Sequence, residues 1–398
     1  MDQQYQPLFN RTYLKILPWI VAIVIVLLTA RSQNNSSDVY ETLEDNWIYL
    51  SIDKALKQDQ VKLVYPLSPA YSEQQAQQRI ALQSSIGQAL QTENNITAQW
   101  HDDKVILTVR LPAEKVSDDS FLLESMLDKV TTSAGGYYSQ ALQHAGAERY
   151  LALNTIDELA LSNLKAQLLT PSMPITADTA HSLFSNRPTA LLVFKEENDS
   201  LSKIISEQLK KHYPFTAQPR TSAPQLAAAS RISLQHRGPS YLYLIGQAIP
   251  ADSSNVSRSV ALHYINQSLK EIADKNLSHY RLILQPSTPV GYAALSMTQN
   301  RPFQGNVISN LKTYLLQHLN NDKLEEIRSA LATQYSRQLA SPEKRADLLA
   351  SQFFSVEKFQ SIEEFRDTLA SISTQQVQEH IQQLLDPEHA IIVTISPL

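Results

Sequence analysis

Residues 361–398 read SIEEFRDTLASISTQQVQEHIQQLLDPEHAIIVTISPL, and their grammar decides the architecture. Ser361 with Glu364, and Ser373 with Gln376, are two capping boxes: each hydroxyl is placed to accept the backbone N–H three residues on. Asp386-Pro387 stops the second helix, because proline can neither donate nor continue the turn. Residues 390–396 (AIIVTIS) then form an apolar, β-branched run of strand length. Working backward, Ser341-Pro342 is an N-cap/N1 pair opening a helix through residue 354. Asp322 is placed to cap 323–339, and a further helix covers 306–319. Several helices followed by one closing strand imply a sheet covered by helices.

Further upstream the same reading gives strands at 190–195, 232–236, 241–249 and 292–298, with helices at 199–212 and 256–273. A Pro/Ala/Ser-rich loop covers 216–230. Residues 170–188, with Pro171, Pro174 and Pro188, read as the link between two lobes. Before it come a strand at 61–67 and a helix at 73–90 with Ile80, Leu82, Ile86 and Leu90 on its apolar side. A hairpin at 96–111 turns at His101-Asp102-Asp103. A helix at 121–130 is broken by Ala134-Gly135-Gly136, a weak strand covers 147–153, and a helix covers 159–169. The expected organisation is a tip and anchor (1–31), a polar stalk (32–60), a shortened first lobe (61–180) and a second lobe (181–398). Each lobe is α+β, an antiparallel-rich sheet covered by helices.

The 398 residues, 43% hydrophobic and 18% charged, suffice for a large core without disulfides or a structural metal. Zero cysteines exclude thiol nucleophiles, CxxC redox pairs, thiolate zinc sites and iron–sulfur clusters. The eight glycines form no GxGxxG, GxxxxGK or GxSxG, so phosphate-cradling loops and a nucleophile elbow are not supported. A net charge of −5 with no basic cluster argues against nucleic-acid binding.

Residues 16–30 (ILPWIVAIVIVLLTA) carry no charge. Extended back to Thr12 the run admits only Lys15, and as a helix it spans ~28 Å, close to the ~30 Å hydrocarbon layer. Ile16, Trp19 and Ala30 mark this expected anchor, with Trp19 and Tyr13 at the interface. Arg11 and Lys15 precede it, whereas Asp38, Glu41, Glu44 and Asp45 follow, so the N-terminus is expected in the cytoplasm. The expected location is a single-pass inner (cytoplasmic) membrane protein with its bulk in the periplasm or exterior. A cleaved signal peptide is the rival, but Leu28 stands where a small residue is favoured.

The second lobe then presents an ordered series: Arg281-Leu282, Gly291-Tyr292, Ser341-Pro342-Glu343-Lys344-Arg345-Ala346, Thr374-Gln375-Gln376-Val377-Gln378, and an apolar strand ending at Pro397. In this order it resembles the C-terminal half of an insulinase/pitrilysin-type (M16) metallopeptidase unit, the family that includes the mitochondrial processing peptidase subunits. The similarity spans 189–398. In the first lobe, Asn95 to Trp100 and the hairpin after it resemble the family's hairpin following the catalytic helix. The resemblance implies two M16-like lobes and nominates Tyr292 and Arg281 as possible peptide contacts. The Arg expected shortly before Tyr292 falls among Leu284, Gln285, Pro286 and Ser287, which contain none.

Active members of that family bind zinc through His-x-x-Glu-His on a helix. No two histidines here are four residues apart. Glu379-His380 and Glu388-His389 are half-motifs whose first ligand positions hold Gln376 and Leu385, and helix 73–90 contains no histidine. The resemblance thus implies a degenerate member without catalytic, cofactor-binding or metal-binding residues.

Other candidates have plainer readings. Five Ser-x-x-Lys pairs (Ser51/Lys54, Ser162/Lys165, Ser200/Lys203, Ser309/Lys312, Ser341/Lys344) fit chance in a Ser-rich chain. His101-Asp102-Asp103 reads as a solvated hairpin tip, while His144, His236 and His263 stand alone. Tyr137-Tyr138 reads as packing beside a turn, and the Gln-rich helices as solvated faces. The expected function is a non-catalytic, membrane-anchored partner or scaffold for an active M16 peptidase or an envelope complex. Two alternatives stay open: a peptide-binding, chaperone-like periplasmic module, and a peptidase with an unrecognised site.

Overall fold

Runs of apolar and β-branched residues assemble two sheets. The computed structural model describes residues 40–44, 47–67, 70–112, 123–168, 180–213, 229–250, 255–276, 279–285, 290–353 and 360–398. The expected span at 12–30, with Ile16, Trp19 and Ala30, lies outside them. Among the described residues no helix is long and apolar enough to cross a membrane.

The first sheet holds β1 (Glu41–Glu44), β2 (Ile48–Ile52), β3 (Gln60–Pro66), β4 (Ile96–Trp100), β5 (Lys104–Arg110) and β6 (Thr189–Phe194), in the order β1-β2-β6-β3-β5-β4. The second holds β7 (Ser230–His236), β8 (Tyr241–Pro250), β9 (His279–Gln285), β10 (Val290–Gln299) and β11 (Ile391–Pro397), in the order β7-β11-β8-β10-β9. With β1 set aside the two orders are the same. In each, the last strand inserts between the first two, parallel to the first and antiparallel to the second. A helix joins the second and third strands in both: α1 (Glu73–Leu90) and α6 (Asn255–Asn276). The chain is thus a topological repeat.

That repeat corrects two expected boundaries. The strand expected to open the second lobe is β6, which closes the first sheet: Leu192 sits opposite Leu50 on one side and Val61 on the other. Its apolar ALLVF run marks a strand buried on both faces, but composition does not say in which sheet. Helix α5 (Asp199–His212) follows it into the first core through Leu201, Ile205 and Leu209. The halves therefore divide between His212 and Ser230, not at 180. Of the stalk expected over 32–60, the described residues include strand β2 and reach the first core through Trp47, Ile48 and Leu50, while 32–39 lie outside the described residues.

The other helices are α2 (Leu123–Leu153), α3 (Ile156–Leu168), α4 (Ala180–Ser185), α7 (Val307–His318), α8 (Asn321–Leu339), α9 (Pro342–Gln352), α10 (Ile362–Ser371) and α11 (Thr374–Leu384). Ser341, Ser361 and Ser373 cap α9, α10 and α11 as expected. Asn320, not Asp322, caps α8 by accepting from the Lys323 N–H. α2 corrects a larger misreading, because it runs unbroken through Gly135-Gly136 and the weak strand expected at 147–153. Leu127, Val130, Ala134, Ala141 and Ala145 form a buried stripe at helical spacing, and small Ala81 of α1 meets Ala141 and Ala145. That packing offsets the ~1 kcal/mol helix cost of each glycine. Tyr137 and Tyr138 lie on this helix, not on a loop.

Each sheet receives one of its covers from the opposite half. α3 lays Ala160, Leu161, Leu164 and Leu168 on Leu242, Leu244, Ala294 and Val393 of the second sheet. α9 lies over the first sheet, where Asp347 meets Lys62 at 2.6 Å and Arg345 Nε meets Asp53 at 2.9 Å. α3 comes so close that a Cβ on Gly246 would stand 2.9 Å from Leu164 Cδ2 and 3.0 Å from the Ala293 carbonyl oxygen.

Two glycine substitutions should therefore move stability in opposite directions. Gly135→Ala, where a Cβ meets nothing within 4 Å, should stabilise by about 0.5–1 kcal/mol. Gly246→Val should destabilise by about 1–3 kcal/mol through overpacking. Urea unfolding of both variants measures the contrast.

Candidate functional site at the junction of the two halves

The start of α1, the end of α2, the start of α3 and strands β9 and β10 meet in one polar network. Glu73 is the first residue of α1 and its one carboxylate. It accepts from Arg149 Nε at 2.8 Å and Arg149 Nη2 at 3.0 Å, and also from the Ser162 hydroxyl of α3. The third guanidinium nitrogen, Arg149 Nη1, lies 3.8 Å from Glu158. Glu158 in turn pairs with Arg281 of β9 at 3.3 Å. One residue away, Asp157 accepts from the Ser296 hydroxyl of β10 at 3.1 Å. The Tyr71 hydroxyl donates to the Val290 carbonyl. The network thus fastens the first half's helices to the second sheet.

Both residues nominated as peptide contacts sit here. Arg281 is substantially exposed and bound to Glu158. Tyr292 is only 4% exposed, its ring under the Lys165 ammonium at 5.4 Å. Glu158 and Lys165 are seven residues apart on α3, so the two nominated residues reach the same helical face. Burial pushes the Tyr292 phenol well above its usual range, and the Asp102 carboxylate adds to this. Burial pulls the Lys165 ammonium down, against the opposing pull of Asp102 and Glu158.

His101-Asp102-Asp103 is not the solvated tip expected. Arg79 of α1 reaches it, donating to the Asp102 carbonyl at 3.0 Å and the His101 carbonyl at 3.4 Å. Asp103 is buried, its carbonyl accepts from the Leu67 N–H at 2.7 Å, and its carboxylate lies 3.8 Å from Lys104. Burial, then the Lys104 charge, lowers the His101 pKa. This tip is a packed corner.

Among the described residues one group of three metal-ligating side chains converges, Glu124 and Asp128 of α2 with His212 of α5. Lys211 already holds Glu124 at 3.2 Å, so the group reads as an ion-pair cluster joining two helices. Of the Ser-x-x-Lys pairs, Ser341 caps α9, while Ser162 and Lys165 engage different partners, Glu73 and Tyr292. The sequence reading missed the Glu73–Arg149–Glu158 network. Its members come from separated segments, and Arg149 lay in the expected strand.

No family model matches this chain, and no curated protein matches it in sequence. Its fold does have solved counterparts. It is similar to the peptidase M16 inactive domain from Pseudomonas fluorescens, at 11% identity and TM-score 0.64, over 90% of this chain and 98% of that one. A chain of Complex III2 from Candida albicans matches at 12% identity and TM-score 0.60, over 89% and 95%. The periplasmic protease PqqL from Escherichia coli matches at 14% identity and TM-score 0.60, over 90% of this chain but 48% of the longer protease. The fold is therefore similar to that of these M16-type structures: two α+β halves, each a sheet covered by helices.

Arg149→Met should destabilise the protein by about 1–3 kcal/mol, because it leaves two carboxylates without their shared partner. Arg149→Lys should not restore the loss, since a point ammonium cannot bind Glu73 through two nitrogens while reaching Glu158. Urea denaturation of the two variants tests this.

Proposed function

We propose that this chain is a non-catalytic, membrane-anchored protein on the M16 fold, acting as partner subunit or scaffold for an active M16 peptidase or an envelope complex. The observation that carries this is the occupation of α1. The resemblance assigns zinc and its water-activating glutamate to this helix. Here it has no imidazole, and its single carboxylate is bound by Arg149 through two nitrogens and by Ser162. Zinc requires nitrogen, sulfur or oxygen donors with lone pairs to spare. This donor set does not fit it.

A role in assembly is supported by the likeness to an M16 inactive domain and to a chain of Complex III2, while a protease, PqqL, shares the same fold. A second reading has its own observation: β4 is the end strand of the first sheet, with Thr97 and Gln99 exposed along it. An extended peptide could add there by backbone hydrogen bonds. This would make the chain a peptide-binding, chaperone-like module.

Full-length protein carrying an affinity tag, extracted in mild detergent, separates these readings. Co-purification of a subunit containing His-x-x-Glu-His is the expected result. Recovery of peptides alone favours the binding module. Stoichiometric zinc together with chelator-sensitive cleavage of polypeptides would overturn both.

The anchor is part of the proposal: residues 12–30 hold the chain in the inner membrane, with the bulk outside the cytoplasm. The absence of cysteine makes this simple to test. A single cysteine at exposed Gln382 of α11, Gln382→Cys, should react with a membrane-impermeant maleimide once the outer membrane is opened. Reaction only after complete lysis would place the bulk on the cytoplasmic side.

A further inference from the structure

The long helix α2 carries polar groups at two places far apart. Arg149 belongs to the junction network, and Glu124 lies 25 residues earlier, roughly 37 Å away along a helix that runs unbroken between them. At that far end, Leu123, Leu127 and Val130 of α2 share one buried cluster with Leu201, Ile205 and Leu209 of α5. Two further ties hold the helices in place. The Leu123 N–H donates to Gln208 Oε1 at 3.0 Å, and the Tyr213 hydroxyl, one residue past α5, shares a 2.6 Å hydrogen bond with Tyr65. The backbone that carries residues 124, 128 and 212 is therefore fixed by the core.

Glu124 and Asp128, four residues apart, share one face of α2. His212 of α5 meets them with a ring that is mostly buried and stands edge-on to Tyr213 at 4.5 Å between centroids. Its Nδ1 is 3.9 Å from Asp128 Oδ1, too far for a hydrogen bond. One ligand atom from each of the three residues lies within 4.8 Å of the other two. Ligands ~2.0–2.2 Å from a tetrahedral ion stand ~3.3–3.6 Å apart, so the three atoms need to close by at most roughly 1.5 Å. The Asp128 side chain is exposed, and rotation about its bonds supplies that movement.

The charges leave room for a cation. Lys211 holds Glu124 at 3.2 Å, but the lysine side chain is 76% exposed. An exposed pair of this kind is weak and gives way to a stronger charge. Without an ion the group is an ion-pair cluster. A divalent ion would set two positive charges beside two carboxylates and release the lysine to solvent. The imidazole decides which ion, because Ca²⁺ and Mg²⁺ favour all-oxygen shells while zinc accepts nitrogen and oxygen together.

We propose that Glu124, Asp128 and His212 bind one zinc ion, which staples the start of α2 to the end of α5. With three protein ligands the ion keeps water in its fourth position. The inference stands apart from the partner role and from the α1 side chains, because every group it uses lies at the opposite end of α2.

The test uses the full chain in detergent, purified without a polyhistidine tag, with Zn²⁺ and Ca²⁺ as probes in titration calorimetry. Zinc should bind at one site per chain, and calcium at least roughly tenfold more weakly. His212→Gln and Asp128→Asn should each weaken zinc roughly tenfold or more with an unchanged circular dichroism spectrum. Lys211→Gln, which removes the competing ammonium, should tighten zinc roughly twofold to fivefold. His389→Gln, at an exposed histidine that also faces a carboxylate, Asp386, should change nothing. Zinc should also slow amide hydrogen exchange in the first turn of α2 and the last turn of α5. Equal affinity for the two ions, no response to His212→Gln, a loss as large on His389→Gln, unchanged exchange in both turns, or no zinc binding at about 1 mM would each overturn the proposal.

Discussion

A sheet whose central strands are buried on both faces needs two covers, and in this protein each half supplies one of the other's. The two exchanges differ in their physics. α3 meets the second sheet through Leu161, Leu164 and Leu168, whose burial against Leu242, Leu244 and Val393 is worth roughly 5–9 kcal/mol in gross transfer free energy. α9 meets the first sheet with an ion pair beside its buried Ala346, Leu349 and Ala350. Lys62 is 2% exposed and bonded to Asp347 at 2.6 Å and Thr108 at 3.0 Å, yet burial still lowers its pKa. Desolvation of that ammonium therefore outweighs what Asp347 returns. A buried pair of this kind contributes little net stability, although removing one partner costs about 3–5 kcal/mol. Both contacts bury apolar side chains, and the α9 contact adds the Lys62–Asp347 pair, which fixes where the helix sits.

This exchange also explains how far the sequence could be read. Elements whose signals are local were legible. Ser341-Pro342, Ser361/Glu364 and Ser373/Gln376 act within one turn of backbone, and the structure places all three caps where the spacing put them. β6 was legible as a strand but not as a member of its sheet. The choice between sheets is made by pairing with Ile48–Ile52 and Gln60–Pro66, more than a hundred residues upstream. α2 failed for a related reason. Gly135-Gly136 favours a break locally, while the alanine stripe against α1 is a tertiary term that no window contains. β9 went unanticipated beyond Arg281-Leu282 because its half-buried pattern carries little period-two contrast.

The candidate site divides in the same way. Tyr292 and Arg281 came from resemblance, and the structure brings both to one face of α3 without making Tyr292 an open surface. The network that surrounds them depends on Glu73, Arg149, Glu158 and Ser162, which come from three helices. A lone Glu at a helix start reads as a favourable first-turn charge and nothing more. Its commitment to Arg149 exists only after α1 and α2 have packed along their alanines.

Site and scaffold are consequently one structure. The face of α3 that buries Leu164 on the second sheet is flanked by Ser162, Glu158 and Lys165, which meet Glu73, Arg149, Arg281 and Tyr292. The Glu73 carboxylate accepts three hydrogen bonds from Arg149 and Ser162, joining α1 to α2 and α3. Breaking them would loosen the junction through which the first half covers the second sheet, so the polar network and the apolar cover depend on the same short stretch of α3.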